Sequence, residues 1–236
     1  MAGIRALYNR IITTIIYGKE RRSRKAYVSY LKKIGVSIGD NLYIADPIHC
    51  NIDVTRPWLL KIGDNVSITD NVVILTHDFS YSVISKCSMG TFPSCGQVII
   101  GNNVFIGSHA VVLEGVTIGN NVIIGAGSIV THDIPDNSIV AGSPARIIST
   151  IEKYKEKLER QVIERLKQLL DEYYKTYHTF PPEEIMTEYY GLYMSYEEIE
   201  NKYPEYLKRL ITNKNSVNPI YSSYEELLKE NCRYYK

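Results

Sequence analysis

An alcohol becomes a useful nucleophile only when a base removes its proton, and an imidazole, with an ordinary pKa of about 6.5, suits that task at neutral pH. The chain of 236 residues has five imidazoles, at His49, His77, His109, His132 and His178. No two lie close enough in sequence to make a metal-ligand pair, and Cys50, Cys87, Cys95 and Cys232 show no Cys-x-x-Cys or comparable spacing. No metal site is therefore expected. His77 is set apart by its surroundings: it ends the aliphatic run in "VVILTHDFSYSV", and residues 78–97, rich in Ser, Thr, Tyr, Cys and Gly, interrupt a pattern that resumes afterwards. An irregular insertion projecting from a regular scaffold is where a binding wall can be built. The residues alone leave two readings of His77 open, a proton acceptor or a loop histidine with a structural hydrogen bond. His109 sits at a corner of the repeat, His49 and His132 read as solvated, and His178 lies in the C-terminal tail.

The scaffold that must hold His77 counts in sixes. Ile100, Ile106, Val112, Ile118, Ile124 and Val130 share one phase, each followed four residues later by Val104, Ala110, Val116, Val122, Ser128 and Ile134. Gly101, Gly107, Gly119 and Gly125 come directly after the leading aliphatic; Ile62, Ile68 and Ile74 form an earlier block, and a fainter one starts at Ile38. A half-buried strand would alternate with period two and a helix with 3.6. Period six, with Gly and Asn where the backbone must turn sharply, means short strands joined by tight corners. Stacked coils of that kind bury an aliphatic column that no single coil could bury. The expectation is a mainly β chain, a parallel β-helix of hexapeptide repeats over residues 36–148 with a loop at 78–97. A sandwich of hairpins would not keep one phase through six units.

The stretch "IGSHAVVLEGVTIGNNVIIGAGSIVTHDIPDNSIVAGSPARII" resembles the closing coils of the galactoside, maltose and xenobiotic O-acetyltransferases. The wider span from "DVTRPWLLKIGDNVSI" through "ILTHDFSYSV" to "SPARII" is similar to acetyltransferases of bacterial polysaccharide biosynthesis. The resemblance covers residues 36–150 and implies a left-handed β-helix, an unusual hand for a parallel crossover. It also implies acetyl-CoA as co-substrate, a sugar or glycan acceptor, and a homotrimer with its coenzyme groove between subunits. Acyl transfer from a thioester to a hydroxyl needs a base, fixed donors for the oxyanion and two substrates held together. The resemblance makes His77 the general base and puts Ser108, Ala126, Thr131 and Arg146 among the coenzyme contacts, with the Ser108 backbone amide near the thioester. Where the family often has Lys after the Thr, this chain has His132, which weakens one expected phosphate contact. On the acceptor side, Asp53 resembles an acid that binds sugar hydroxyls, and Trp58 and Tyr81 are candidates to stack on a sugar face.

Composition divides the chain in three. Residues 1–34 carry nine Lys and Arg against Glu20, residues 35–150 four against nine acids, and residues 151–236 fourteen against sixteen. The net charge of +1 gives no reason to expect nucleic acid as a partner. Residues 1–35 read as a basic helical segment that packs on the end of the β-helix; a second reading lays residues 1–34 on an anionic membrane. Residues 149–236 read as a helical extension. Within it Ile151, Tyr154, Leu158, Val162, Leu166, Leu169 and Tyr173 fall on one helix face, and capping boxes are expected at Ser149–Glu152 and Ser223–Glu226. The apolar "IITTIIY" is too short to span a bilayer and no cleavage site follows it. The expected location is the cytoplasm, with the inner face of the membrane as a variant. Two rival functions share the fold, a zinc carbonic-anhydrase type and a non-catalytic scaffold. The first needs three histidines at close set spacing, and the second does not require the His77 loop.

Overall fold

The computed structural model describes residues 18–87, 89–204 and 217–235, in two compact units, Met1–Tyr154 and Lys155–Lys236. The division falls at Tyr154, inside a helix, rather than at residue 149.

In the first unit every pair of side chains that counts in sixes meets its counterpart in the next coil. The strands are β1 (Ser37–Ile38), β2 (Tyr43–Ile44), β3 (Asn51–Ile52), β4 (Leu60–Ile62), β5 (Ser67–Ile68), β6 (Val73–Ile74), β7 (His77–Asp78), β8 (Ser94–Cys95), β9 (Val98–Ile100), β10 (Val104–Ile106), β11 (Val111–Val112), β12 (Thr117–Ile118), β13 (Val122–Ile124), β14 (Ile129–Val130), β15 (Ser138–Ala141) and β16 (Arg146–Thr150). They form three sheets visited in turn: β1-β4-β9-β12, then β2-β5-β10-β13-β15, then β3-β6-β11-β14. All neighbours within these runs are parallel, and β16 adds to β15 antiparallel at the end. A chain that returns to the same three sheets coil after coil is a three-faced parallel β-helix.

Register carries the core. Ile38, Ile62, Ile100 and Ile118 stack in the first sheet, Ile44, Ile68, Ile106, Ile124 and Val140 in the second, and Ile52, Ile74, Val112 and Val130 in the third. All but Ile38 are buried. Each such side chain contributes about 1.5–3 kcal/mol by leaving water, but only once the coils on either side cover it.

The corner between the first and second sheets shows how the sequence makes the turn. Asn41, Asn65, Asn103, Asn121 and Asn137 all adopt φ of 55–57°, a left-handed conformation that Asn tolerates better than other side chains. Their side chains also ladder from coil to coil, Asn103 Nδ2 donating to Asn121 Oδ1 at 2.8 Å and Asn121 Nδ2 to Asn137 Oδ1 at 2.9 Å. The glycine two residues earlier serves a different need. A Cβ on Gly101 would stand 2.6 Å from the Gly119 carbonyl oxygen. The coils approach so closely there that no side chain fits.

The helix α1 (Arg24–Ile34), capped by Ser23, lays Tyr27 and Leu31 against the first coils. The expected basic segment is thus helical over its second half, and residues 1–17 lie outside the described residues. The break at residues 78–97 is less irregular than its sequence: β7 and β8 pair antiparallel around a short helix, α2 (Tyr81–Lys86).

The second unit gathers Leu166 and Leu170 of α3 (Ile151–Tyr177) with Met186, Tyr190, Tyr193, Met194, Ile199, Leu227, Leu228 and Cys232. Ile199 belongs to α4 (Tyr196–Lys202) and Leu227 and Leu228 to α5 (Tyr224–Asn231). Its tyrosines pack ring on ring, Tyr190 against Tyr203 at 4.3 Å and Tyr174 against Tyr234 at 4.7 Å. Three expectations need correction. Thr150, directly ahead of α3, caps it in place of Ser149: its hydroxyl accepts from the Lys153 amide at 3.4 Å. Leu170 rather than Leu169 is buried, because the apolar stripe drifts by one position along a 27-residue helix. At α5, Ser223 does cap through Glu226 N, but the Glu226 carboxylate turns to Ser222; the reciprocal box forms instead at Ser195 and Glu198.

Substituting Gly101→Ala forces a methyl into the neighbouring coil's backbone and should cost about 1–3 kcal/mol in urea unfolding. Lys61→Ala, on the exposed side of β4, should stay within about 0.5 kcal/mol.

Candidate active site

His77 is the first residue of β7, where the chain leaves the corner between the third and first sheets. Directly beside it in the preceding coil is Asp53, because Ile52 stacks on Ile74 and the Asp53 amide donates to the Ile74 carbonyl at 2.9 Å. Register therefore delivers the pair. Asp53 Oδ2 lies 2.6 Å from His77 Nδ1 and also accepts from the Thr76 hydroxyl at 2.6 Å and the Thr76 amide at 3.2 Å. Oδ1 accepts from the Thr55 amide at 2.9 Å and the Thr55 hydroxyl at 2.7 Å.

Burial of Asp53, which is 7% exposed, opposes its ionisation. The hydrogen bonds from Thr76, Thr55 and His77 more than offset that and hold the carboxyl far below its ordinary range. An ionised carboxylate can only accept, so the proton between the two groups sits on His77 Nδ1. Nε2 is left with a lone pair, on a ring whose side chain is 27% exposed. An imidazole held this way can take a proton from a hydroxyl, and the carboxylate behind it stabilises the imidazolium that results.

The projecting lobe is fastened beside this corner. His77 faces Cys95 and Asp78 faces Ser94 in the β7–β8 pair, the Gly96 amide donates to the Thr76 carbonyl at 3.0 Å, and the Ser94 hydroxyl donates to the Glu114 carboxylate of the following coil. Its outer surface is apolar: Phe79 is 68% exposed, Met89 70% and Phe92 63%.

The other expected site residues fall into groups. Ser108 and Ala126 follow β10 and β13 at the corner between the second and third sheets, one coil apart, with the Gly127 amide donating to the Ser108 carbonyl at 2.8 Å. Arg146 pairs with Ala141 at the same end of the second sheet, exposed, its guanidinium on the Ala145 carbonyl at 2.8 Å. The structure thus aligns Ser108, Ala126 and Arg146 along one corner. The Ser108 hydroxyl is bonded to Asp70 at 2.6 Å, a partner the sequence did not suggest. Thr131 is elsewhere, after β14 on the His77 corner, its hydroxyl 2.7 Å from His132 Nδ1. His49 and His109 share the Ser108 corner and His132 the His77 corner. Trp58 is 65% exposed on the turn Pro57–Leu59, and Tyr81 lies 5.2 Å from the Phe79 ring.

Asp53 is the largest departure from the sequence reading. An acid that binds a sugar must offer an oxygen to solvent, whereas both oxygens of Asp53 are occupied by protein donors. Thr55 and Thr76 were missed altogether. Two hydroxyl residues next to a buried acid carry no sequence signal until the coils are in register.

The chain matches the bacterial transferase hexapeptide (six repeats) model over residues 97–132. It is 43% identical to protein CapG of Staphylococcus aureus, over 54% of this chain and 73% of that protein. It is 37% identical to galactoside O-acetyltransferase of Escherichia coli, over 52% of this chain and 68% of the relative. Among solved structures, a galactoside acetyltransferase in complex with coenzyme A aligns at 31% identity over 62% of this chain and 82% of the other, with a TM-score of 0.42. The chain thus combines a β-helix of hexapeptide coils with a carboxylate-backed imidazole at one corner. This chain belongs to the hexapeptide-repeat acetyltransferases. Its activity is acyl transfer.

The depressed Asp53 carboxyl sets a pH dependence of stability. Ionised Asp53 contributes fully above the unfolded carboxyl's pKa of about 3.9, and the contribution is lost as pH falls from there through the lower folded value. Asp53→Asn should therefore be less stable than the parent by roughly 1–3 kcal/mol at pH 7. The gap should narrow when the same unfolding curves are measured well below pH 4.

Proposed function

We propose that the chain is an acetyl-CoA-dependent O-acetyltransferase on a left-handed β-helix, with His77 as general base and a sugar or glycan hydroxyl as acceptor. The observation that carries this reading is the Asp53–His77 pair, at 2.6 Å, on an open corner beside the lobe. In this reading Asp53 is a positioning residue and does not bind the acceptor. The acceptor oxygen attacks the thioester carbonyl carbon while its proton passes to His77 Nε2. Backbone donors, the Ser108 amide among them, stabilise the oxyanion. The tetrahedral intermediate then collapses, the carbon–sulfur bond breaks, and the coenzyme thiolate recovers the proton from the imidazolium. Acetyl-CoA enters this reading through the similar galactoside O-acetyltransferase of Escherichia coli, and coenzyme A through the galactoside acetyltransferase solved with it.

Ser108, Ala126 and Arg146 would hold the coenzyme along their shared corner, and Thr131 would join from the other side. One chain cannot easily close that site. The Ser108 and His77 corners are the two edges of the third sheet, roughly five residues or about 16 Å apart at strand spacing. A cyclic trimer packed side by side would bring the Ser108 corner of one copy to the His77 corner of the next, and the apolar lobe offers surface for such a neighbour to cover. Trp58 and Tyr81, near the His77 corner in sequence, remain the candidates to meet the acceptor.

His77→Ala should lower turnover by about a hundredfold or more with the Michaelis constant for acetyl-CoA little changed. Asp53→Asn should lower turnover in the same way, again with that constant little changed, whereas Arg146→Ala should raise that constant more than it lowers turnover. Coenzyme A release with a panel of sugar acceptors provides the assay, and unaltered turnover in folded His77→Ala would overturn the assignment of the base.

Light scattering should give three times the chain mass. At subsaturating acetyl-CoA, mixed trimers of His77→Ala and Arg146→Ala chains should exceed the summed activities of the two parents, because some of their sites combine one intact His77 with one intact Arg146. A fully active monomer, or mixed trimers without recovery, would place the whole site on one chain.

A further inference from the structure

Positive charge in this chain is concentrated at one place. Seven Lys and Arg lie between Lys19 and Lys33 with Glu20 as the one acid, whereas residues 35–236 carry 18 basic against 25 acidic side chains. Two of the seven stack on aromatic rings within the fold. The Arg21 guanidinium donates to the carbonyls of Pro47 and Cys50, both at 2.8 Å, and stacks 4.7 Å from the Tyr27 ring centre. Arg24 stacks over Tyr43 at 4.6 Å. These contacts bind the segment to the first coil.

The other five, Lys19, Arg22, Lys25, Lys32 and Lys33, are exposed; Lys32 Nζ donates to the Gly39 carbonyl at 3.4 Å, and among the described residues none of the five forms a salt bridge with a carboxylate. Their placement follows from helix geometry. Tyr27 and Leu31, both 0% exposed, hold one face of α1 against the core, and Lys25 and Lys32, seven residues apart, fall on the opposite face with Lys33 at its margin. Ionic repulsion among unpaired cations costs stability, so a face that keeps them without acids is built for an external anion. α1 packs on the first coils.

We infer that this face docks on an anionic lipid bilayer. The residues directly ahead of it decide between a bilayer and other anions. Ile4, Leu7, Tyr8, Ile11, Ile12, Ile15 and Ile16 recur at three- and four-residue spacing with Arg5 and Arg10 between them. A nucleic acid or an acidic protein has no use for seven large apolar side chains beside a basic cluster, whereas the interface of a bilayer takes both. No helix among the described residues is long and apolar enough to cross a membrane. The inference is independent of the acceptor and of the base.

The test uses the full-length chain with sedimenting vesicles of phosphatidylcholine alone or mixed with phosphatidylglycerol. Binding should require phosphatidylglycerol and fall steeply as sodium chloride is raised. Each basic side chain near such a surface contributes about fivefold, so replacing Lys19, Arg22, Lys25, Lys32 and Lys33 together by Gln should weaken partitioning on the order of a thousandfold. Coenzyme A release with a water-soluble acceptor should be unchanged in that variant, which shows that it is folded. If the fivefold variant does not fold, Lys25→Gln and Lys33→Gln singly should each give their fivefold share. Equal binding to both vesicle types, binding indifferent to salt, or variants that partition like the parent would overturn the inference. So would retention by an acidic polynucleotide in preference to the anionic vesicles.

Discussion

Each inward aliphatic of the β-helix is covered by its counterparts in the coils before and after it, so no coil is stable by itself and register has to be kept through all of them. The backbone expresses this at Gly101, where coils approach too closely for a side chain, and at the left-handed asparagines, whose amides bond to one another along the corner. The same constraint makes the site. Asp53 and His77 are neighbours because Ile52 stacks on Ile74. A slip of one residue would turn the aliphatic column outward and part the carboxylate from the imidazole in the same step.

A rigid stack also explains how a modest number of polar residues can be placed with accuracy. Asp53 is surrounded by donors from two adjacent coils, Thr55 of its own and Thr76 and His77 of the next. The coils rather than the projecting lobe place these side chains, although His77 opens that lobe. The lobe contributes what the coils cannot, an apolar surface standing away from the helix beside the His77 corner, fastened through Gly96 and Ser94. Rigid support and projecting wall are thus supplied by different parts of the chain.

The helical second unit has a different internal logic. Its core is built from tyrosines and a few aliphatics rather than from repeated isoleucines, and ring-on-ring contacts replace register as the ordering principle. Burial raises the phenol pKa of Tyr190, Tyr193 and Tyr224, so these rings stay neutral and pack as hydrophobes.

Periodicity was legible before any coordinates because it is local and repeated: six-residue spacing, with Gly and Asn at the turns, permits few backbones other than stacked coils. The same holds for His77, marked by the interruption it causes, and for the helical character of residues 151–177. What the sequence could not supply was the meeting of residues from different coils. The first coil departs from the count of six, since Ile44 and Ile52 are separated by an insertion around Pro47 and His49, and this hides the alignment of Asp53 with the residues beside His77. Asp53 therefore reads in the sequence as an acid near a tryptophan, free to meet a sugar. Only the folded chain turns it inward, because hydrogen bonds act over ångströms in space and the stacking of coils, not proximity along the chain, decides which groups come that close.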